Sequence, residues 1–289
     1  MLAVMTPSAD ARAHRHHRMA RPVLPYAATR DLAEPVQAAL AAAKAGRRVI
    51  VVFDIDNTLL TTPQDLGGDA WFAWQKSKGA DVDSLIADNT LLLEATRMQP
   101  TQPDTAALVG DLQGRHIAVY ALSARGETLR GATEAALHDN GIDLSPAPEC
   151  GPPLCTRRGN LADTQVRAAE RRLGMSPQAQ PYHDVSVSDG IMLVSGQDKG
   201  VMLHLLLASL GRRFDDVFFV DDTLQNVQAV EAAAPTLPAR LHAYSYQRFW
   251  DDAAAFSADA ARQQKAQDDL AGLKVKLCAA VRSAVCARP

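Results

Sequence analysis

The sequence predicts an α/β protein in which helices cover both faces of an open parallel sheet. The first observation is a set of short, unbroken apolar runs: Val49-Ile50-Val51-Val52-Phe53, Ile117-Ala118-Val119-Tyr120-Ala121-Leu122 and Val217-Phe218-Phe219-Val220. Runs of this length, rich in β-branched and aromatic residues, suit strands that are buried on both faces. The second is that each run stops at a polar residue: Asp54, Ser123 and the pair Asp221-Asp222. The third is that helix-compatible sequence follows, from about Glu127 to His138 and from about Thr223 to Ala234. Strand, polar stop and helix in succession is the rhythm of right-handed crossovers in a Rossmann-like sheet. Ligands of such sheets bind beyond the carboxyl ends of the strands, so the three polar stops are expected to converge.

At 289 residues the chain has room for one large domain with an inserted cap, or for two modest ones. With 47% hydrophobic and 22% charged residues it can build an ordinary packed core, which excludes wholesale disorder. A formal net charge of -3 and a pI near 6.2 provide no global attraction for nucleic acid or anionic membranes, and neither is expected as a partner. No run is long enough to span a bilayer. Basic residues near the start are not followed by an apolar block, so a cytoplasmic location is expected. The four cysteines, Cys150, Cys155, Cys278 and Cys286, lack zinc-knuckle spacing and read as free thiols or one incidental disulfide.

The elements divide the chain as follows. Residues 1–30 form a flexible Arg/His-rich tail, with Arg12 to Arg18 the only basic run. An alanine-rich helix from Asp31 to Lys44, stopped at Gly46, leads into the first strand. Residues 31–60 and 115–250 make the α/β core. Residues 61–114 exceed the needs of one crossover and read as a small, mainly helical cap containing Trp71, Phe72 and Trp74. These aromatics fit a core more readily than a pocket. Residues 141–196 form a second, irregular, proline-rich insertion with a strand at Ile191 to Val194. Residues 251–289 read as C-terminal helices.

Chemistry concentrates in Phe53-Asp54-Ile55-Asp56-Asn57-Thr58. Two carboxylates at i and i+2 after a buried strand can sit close together yet have different partners. One then acts as an ionised nucleophile while the other manages a proton. A carboxylate attacks phosphorus only when the phosphate's own charge is masked, so the pattern asks for a cation, and clustered carboxylate oxygens suit Mg²⁺. The plainer alternative is that Asp54 and Asp56 cap the next helix or close an Asx-turn.

These residues resemble the first motif of the haloacid dehalogenase superfamily, Asp-x-Asp-x-Thr after strand one. The resemblance continues in order through Ala121-Leu122-Ser123-Ala124-Arg125-Gly126, Asp198-Lys199-Gly200 and Phe219-Val220-Asp221-Asp222 with Asn226 beyond. Gly67-Gly68-Asp69-Ala70-Trp71-Phe72 is similar to a bacterial branch known as DUF2608. The resemblance implies that Asp54 is nucleophile and metal ligand, and that Asp56 is the acid and base, touching the metal through its carbonyl. Ser123 and Ala124 would bind phosphate oxygens and Lys199 would neutralise charge beside Asp54. Asp222 would ligate Mg²⁺, with one of the pair Asp221 and Asp222 in direct contact and the other behind it. Asn226 departs from the superfamily's usual Asp. Arg125 reads as a phosphate contact or a surface residue, His204 as a packed core histidine, and His183 and Asp184 carry no motif.

The function implied is hydrolysis of a phosphate monoester through an aspartyl-phosphate, because Asp56 provides the proton that an alkoxide leaving group needs and a halide does not. The substrate is expected to be a phosphorylated small molecule, with a phosphoprotein as the second possibility. A phosphotransferase would use the same motifs, and a retired fold acting as a binding module is the alternative from another class.

Overall fold

The computed structural model describes residues 26–149, 151, 160–174, 177 and 181–281. The basic run at 12–18 and Cys150, Cys155 and Cys286 lie outside the described residues. In chain order the elements begin with β1 (Ala27–Thr29), α1 (Ala33–Lys44), β2 (Val49–Phe53) and β3 (Leu60–Thr61). There follow α2 (Asp69–Ser77), α3 (Val82–Ala95), β4 (Gln99–Pro100), α4 (Thr105–Gly114), β5 (Ala118–Ser123) and α5 (Arg130–Asp139). Next come β6 (Asn160–Leu161), α6 (Asp163–Leu173), β7 (Val185–Ser188), β8 (Ile191–Leu193), α7 (Lys199–Ser209) and β9 (Asp216–Asp221). The described chain closes with α8 (Leu224–Ala233), β10 (Arg240–Tyr246), α9 (Trp250–Ala258) and α10 (Ala260–Val281).

Eight strands form one sheet in the order β1-β10-β9-β2-β5-β8-β7-β6, and a small hairpin pairs β3 with β4. From β1 to β8 all neighbours are parallel; β7 and β6 add antiparallel pairs at one edge. The three apolar runs thus become adjacent central strands, with β2 between β9 and β5. Strand alternation divides their side chains between two cores. Ile50, Val52, Tyr120, Leu122, Val217 and Phe219 face one, where α7 and α8 pack. Val49, Val51, Phe53, Val119, Phe218 and Val220 face the other, against α1, α4 and α5.

Two segments differ from expectation. Ala27 to Thr29, read as part of the tail, form β1, paired in parallel with Tyr244 to Tyr246 of β10. Three residues show no periodicity of their own, and pairing with β10, which makes β1 the edge of the sheet, decides their conformation. In the segment read as a cap, α2 and α3 stand outside the sheet, whereas α4 places Leu108, Val109 and Leu112 in a sheet-facing core. A third apolar cluster, containing Trp71, Leu85, Leu92, Phe256, Ala266 and Leu270, joins α2 and α3 to α9 and α10. No helix among the described residues is long and apolar enough to cross a membrane.

Candidate metal and phosphate site

Asp54 follows β2 directly, and its amide donates to the Val220 carbonyl at 2.8 Å, which ties the end of β2 to β9. Asp221 is the last residue of β9 and Ser123 the last of β5. The three therefore share one edge of the sheet. All three are buried.

Lys199 reaches this edge from the first position of α7. The loop before it is laddered onto the loop after β5: Val194, Ser195 and Gly196 donate amides to the carbonyls of Ser123, Arg125 and Ala124 at 3.0, 2.9 and 2.9 Å. Asp198 caps α7 by accepting from the Val201 amide at 3.0 Å. Gly200 is required by the same packing, because a Cβ there would lie 2.3 Å from the Ala229 carbonyl oxygen of α8. Lys199 Nζ lies 2.5 Å from Asp54 Oδ1 and 2.7 Å from Asp221 Oδ2. A positive charge at a helix start opposes the helix dipole, and these two carboxylates supply the counter-charge.

Asp54, Asp221 and Asp222 each present a carboxylate oxygen within 4.8 Å of the others. Burial raises the Asp54 pKa well above the usual range, Lys199 opposes this, and Asp221 and Asp56 add to it. Asp222 is likewise pushed well up, first by burial and then by Asp69 and Asp54. Burial works against the charge on Lys199, but Asp221 and Asp54 together lift its pKa above the ordinary value. Three carboxylates around one ammonium form a centre short of positive charge.

The two members of the acidic pair have different surroundings. Asp221 accepts from Lys199, from Asn226 Nδ2 at 3.1 and 3.2 Å, and from the Thr223 amide at 2.9 Å. Asn226 thus supplies neutral donors to Asp221. Asp222 has one side-chain bond, from Thr223 Oγ1 at 3.2 Å, while its amide donates to Thr58 Oγ1 at 3.1 Å and its carbonyl accepts from Trp250 Nε1 at 2.9 Å. The Asp222 carboxylate is the less engaged of the two.

Ser123 Oγ accepts from the Arg125 amide at 3.2 Å, and Ala124 is exposed beside it. Arg125 is neither a surface residue nor turned toward Ser123. It is buried, and its guanidinium holds both Asp56 oxygens, at 2.9 and 2.8 Å. Sequence alone left Arg125 unplaced because its partner lies 69 positions away.

Asp69, at the start of α2, was visible only as part of a motif string. It accepts from Asn57 Nδ2 at 3.0 Å, and Asn57 holds the left-handed conformation that asparagine tolerates, at φ 55°. Although its side chain opens to solvent, its pKa is pushed up to about 7, by desolvation first and then by Asp56, with Arg125 opposing. A cavity of about 1220 Å³ opens here, lined by Asn57, Asp69, Trp74, Asp222, Trp250 and Arg262 among others. Of the cap aromatics, Trp71 is core and Trp74 reaches the cavity wall. His204 is packed on α7, and His183 and Asp184 are engaged elsewhere through Gln197 and the Asp163 amide.

The fold and site define an open α/β protein with a carboxylate-lysine centre at its strand ends, a donor set suited to a divalent cation. The chain belongs to the family described as "Protein of unknown function (DUF2608)", whose profile matches residues 29–274. Similar solved structures include two of the class C acid phosphatase from Bacillus anthracis, one with tungstate bound. Each is 15% identical with a TM-score of 0.39, covering 82% of this chain and 86% of that one. A search of curated proteins found no match.

Proposed function

We propose that the protein is a Mg²⁺-dependent phosphomonoester hydrolase that works through an aspartyl-phosphate on Asp54. The observation that carries this reading is the bridge that Lys199, at the start of α7, makes between Asp54 and Asp221 with Asp222 alongside, at the ends of the adjacent strands β2 and β9. Three oxygen donors and a single buried ammonium fit a hard divalent ion. Asp54, Asp222 and the Asp56 carbonyl would hold Mg²⁺, which when bound masks the charge of the incoming phosphate.

In this reading Ser123 Oγ and the backbone amides beside Ala124 orient the phosphate oxygens. The Asp54 carboxylate attacks phosphorus as the ester P–O bond breaks, and Asp56 gives its proton to the departing alkoxide. Asp56 then accepts a proton from water as that water attacks the acyl phosphate, which releases inorganic phosphate and restores Asp54. Lys199 stays charged throughout, neutralising Asp54 and the developing oxyanions, while Asp221 holds the ammonium in place. The cavity between α2 and α9 accommodates the alcohol part of a small-molecule ester.

Hydrolysis of p-nitrophenyl phosphate with Mg²⁺ tests the reading. Activity is expected to disappear with EDTA and return with Mg²⁺, and Asp54→Asn should lower turnover by about 10³-fold or more. Unchanged turnover in Asp54→Asn would remove the nucleophile and the reading with it.

A further inference from the structure

We propose that Arg125 is the positioning residue of the proton-transfer group: its guanidinium fork fixes the Asp56 carboxylate in the orientation from which it serves the leaving oxygen. This rests on the hydrolase reading, and deepens it by assigning a residue to which the motifs give no role.

Arg125 Nε donates to Asp56 Oδ2 at 2.9 Å and Nη2 donates to Oδ1 at 2.8 Å, a two-point contact that fixes the plane of the carboxylate as well as its position. The far side of the fork is pinned as well. Nη1 donates to Thr133 Oγ1 at 2.9 Å, and that hydroxyl donates in turn to the Leu129 carbonyl at 2.7 Å, so α5 anchors the guanidinium. Nη2 also lies 3.0 Å from Met98 Sδ.

The arginine side chain is 3% exposed and the Asp56 side chain 25%. A buried arginine thus holds a carboxylate that keeps an open side, the arrangement a proton-transfer group needs. Fold stability is a poor reason for the pair, since buried ion pairs add little net stability over apolar packing. A phosphate-binding role is also disfavoured, because the donors of the fork are directed at Asp56 and Thr133 and none at Ser123. Lysine cannot reproduce the contact, as it offers a point charge in place of a planar fork.

The chemistry separates positioning from other roles. An alkoxide must be protonated as it leaves, whereas p-nitrophenolate leaves unaided. The test compares kcat/KM for β-glycerophosphate and p-nitrophenyl phosphate in wild type, Arg125→Met and Arg125→Lys, together with inhibition by inorganic phosphate. Arg125→Met is expected to lower kcat/KM for the alkyl ester by about 10²-fold or more and for the aryl ester by less than about 10-fold. Phosphate inhibition should be unchanged. Arg125→Lys keeps the charge and the stem, and should show a smaller shift in the same direction, which carries the test if methionine prevents folding. In an Asp56→Asn background, Arg125→Met should add no further loss. Equal losses for both esters, weakened phosphate inhibition, or an added loss in the Asp56→Asn background would each overturn the proposal. Failure of the hydrolase reading would show separately, as persisting turnover in Asp54→Asn.

Discussion

The centre at the strand ends and the helical roof beside it are held together in opposite ways. At the centre the charges are buried and mutually dependent: Lys199 answers two carboxylates, and Arg125 answers Asp56. The roof of α2, α3, α9 and α10 is held by an apolar cluster around Trp71 and Phe256. Its ion pairs lie at the rim, where Arg262 meets Asp65 and Asp252 and Lys274 meets Asp88, all partly exposed. Exposed pairs contribute about 0–1 kcal/mol each, whereas removing one partner of a buried pair leaves the other stranded. Charge therefore organises the centre at the strand ends, and apolar burial secures the wall of the cavity.

Lys199→Met is expected to have the largest effect. It leaves Asp54 and Asp221 facing each other without their cation, and is expected to abolish activity and to destabilise the fold by about 3–5 kcal/mol. Urea denaturation in EDTA checks this, and a variant as stable as wild type would mean that the centre is not charge-balanced as described. Phe256→Ala probes the roof. Phe256 is buried and meets Trp74 edge-on at 6.2 Å, so truncation should cost about 3–5 kcal/mol and loosen α9 and α10. Protease cleavage confined to the C-terminal helices, with the core left intact, would sharpen the distinction between the two regions.

The smallest effect tests their border. A carboxyl whose pKa rises on folding, from about 3.8 to about 7 for Asp69, is favoured by its protonated form. Its contribution is complete below about pH 3.8 and is lost as the pH rises through about 7, because the native state then must ionise or hold its proton against solution. Asp69→Asn removes this dependence. In the absence of divalent ions its Tm should exceed that of wild type at pH 8 and show no such gain at pH 4. A uniform shift across that range would show that Asp69 acts through packing instead.

The fit between sequence and structure is uneven for physical reasons. Strands β2, β5 and β9 are buried on both faces, so unbroken apolar runs announce them, and the polar residue that ends each run lies at the candidate site. Asp54, Lys199, Asp221 and Asp222 accordingly meet at the ends of β2 and β9, and Ser123 ends the neighbouring strand β5. β1 and β10 went unread: the first is three residues long, and the second, Arg-Leu-His-Ala-Tyr-Ser-Tyr, has only a weak apolar pattern. Arg125 and Asp69 lie within the recognisable motifs, but each acts on a partner that local pattern cannot reveal.

Local pattern was enough to set which residues could become central strands and where each would end, because double-sided burial and a polar stop are local properties of the chain. Tertiary structure decided how the charges are shared. Asp221 rather than Asp222 takes the lysine, Arg125 turns to Asp56, and α9 and α10 return to wall the cavity with α2. Each of those outcomes depends on electrostatic or apolar contact between segments far apart in the chain. The energies that choose among such contacts arise only when folding excludes water from between them.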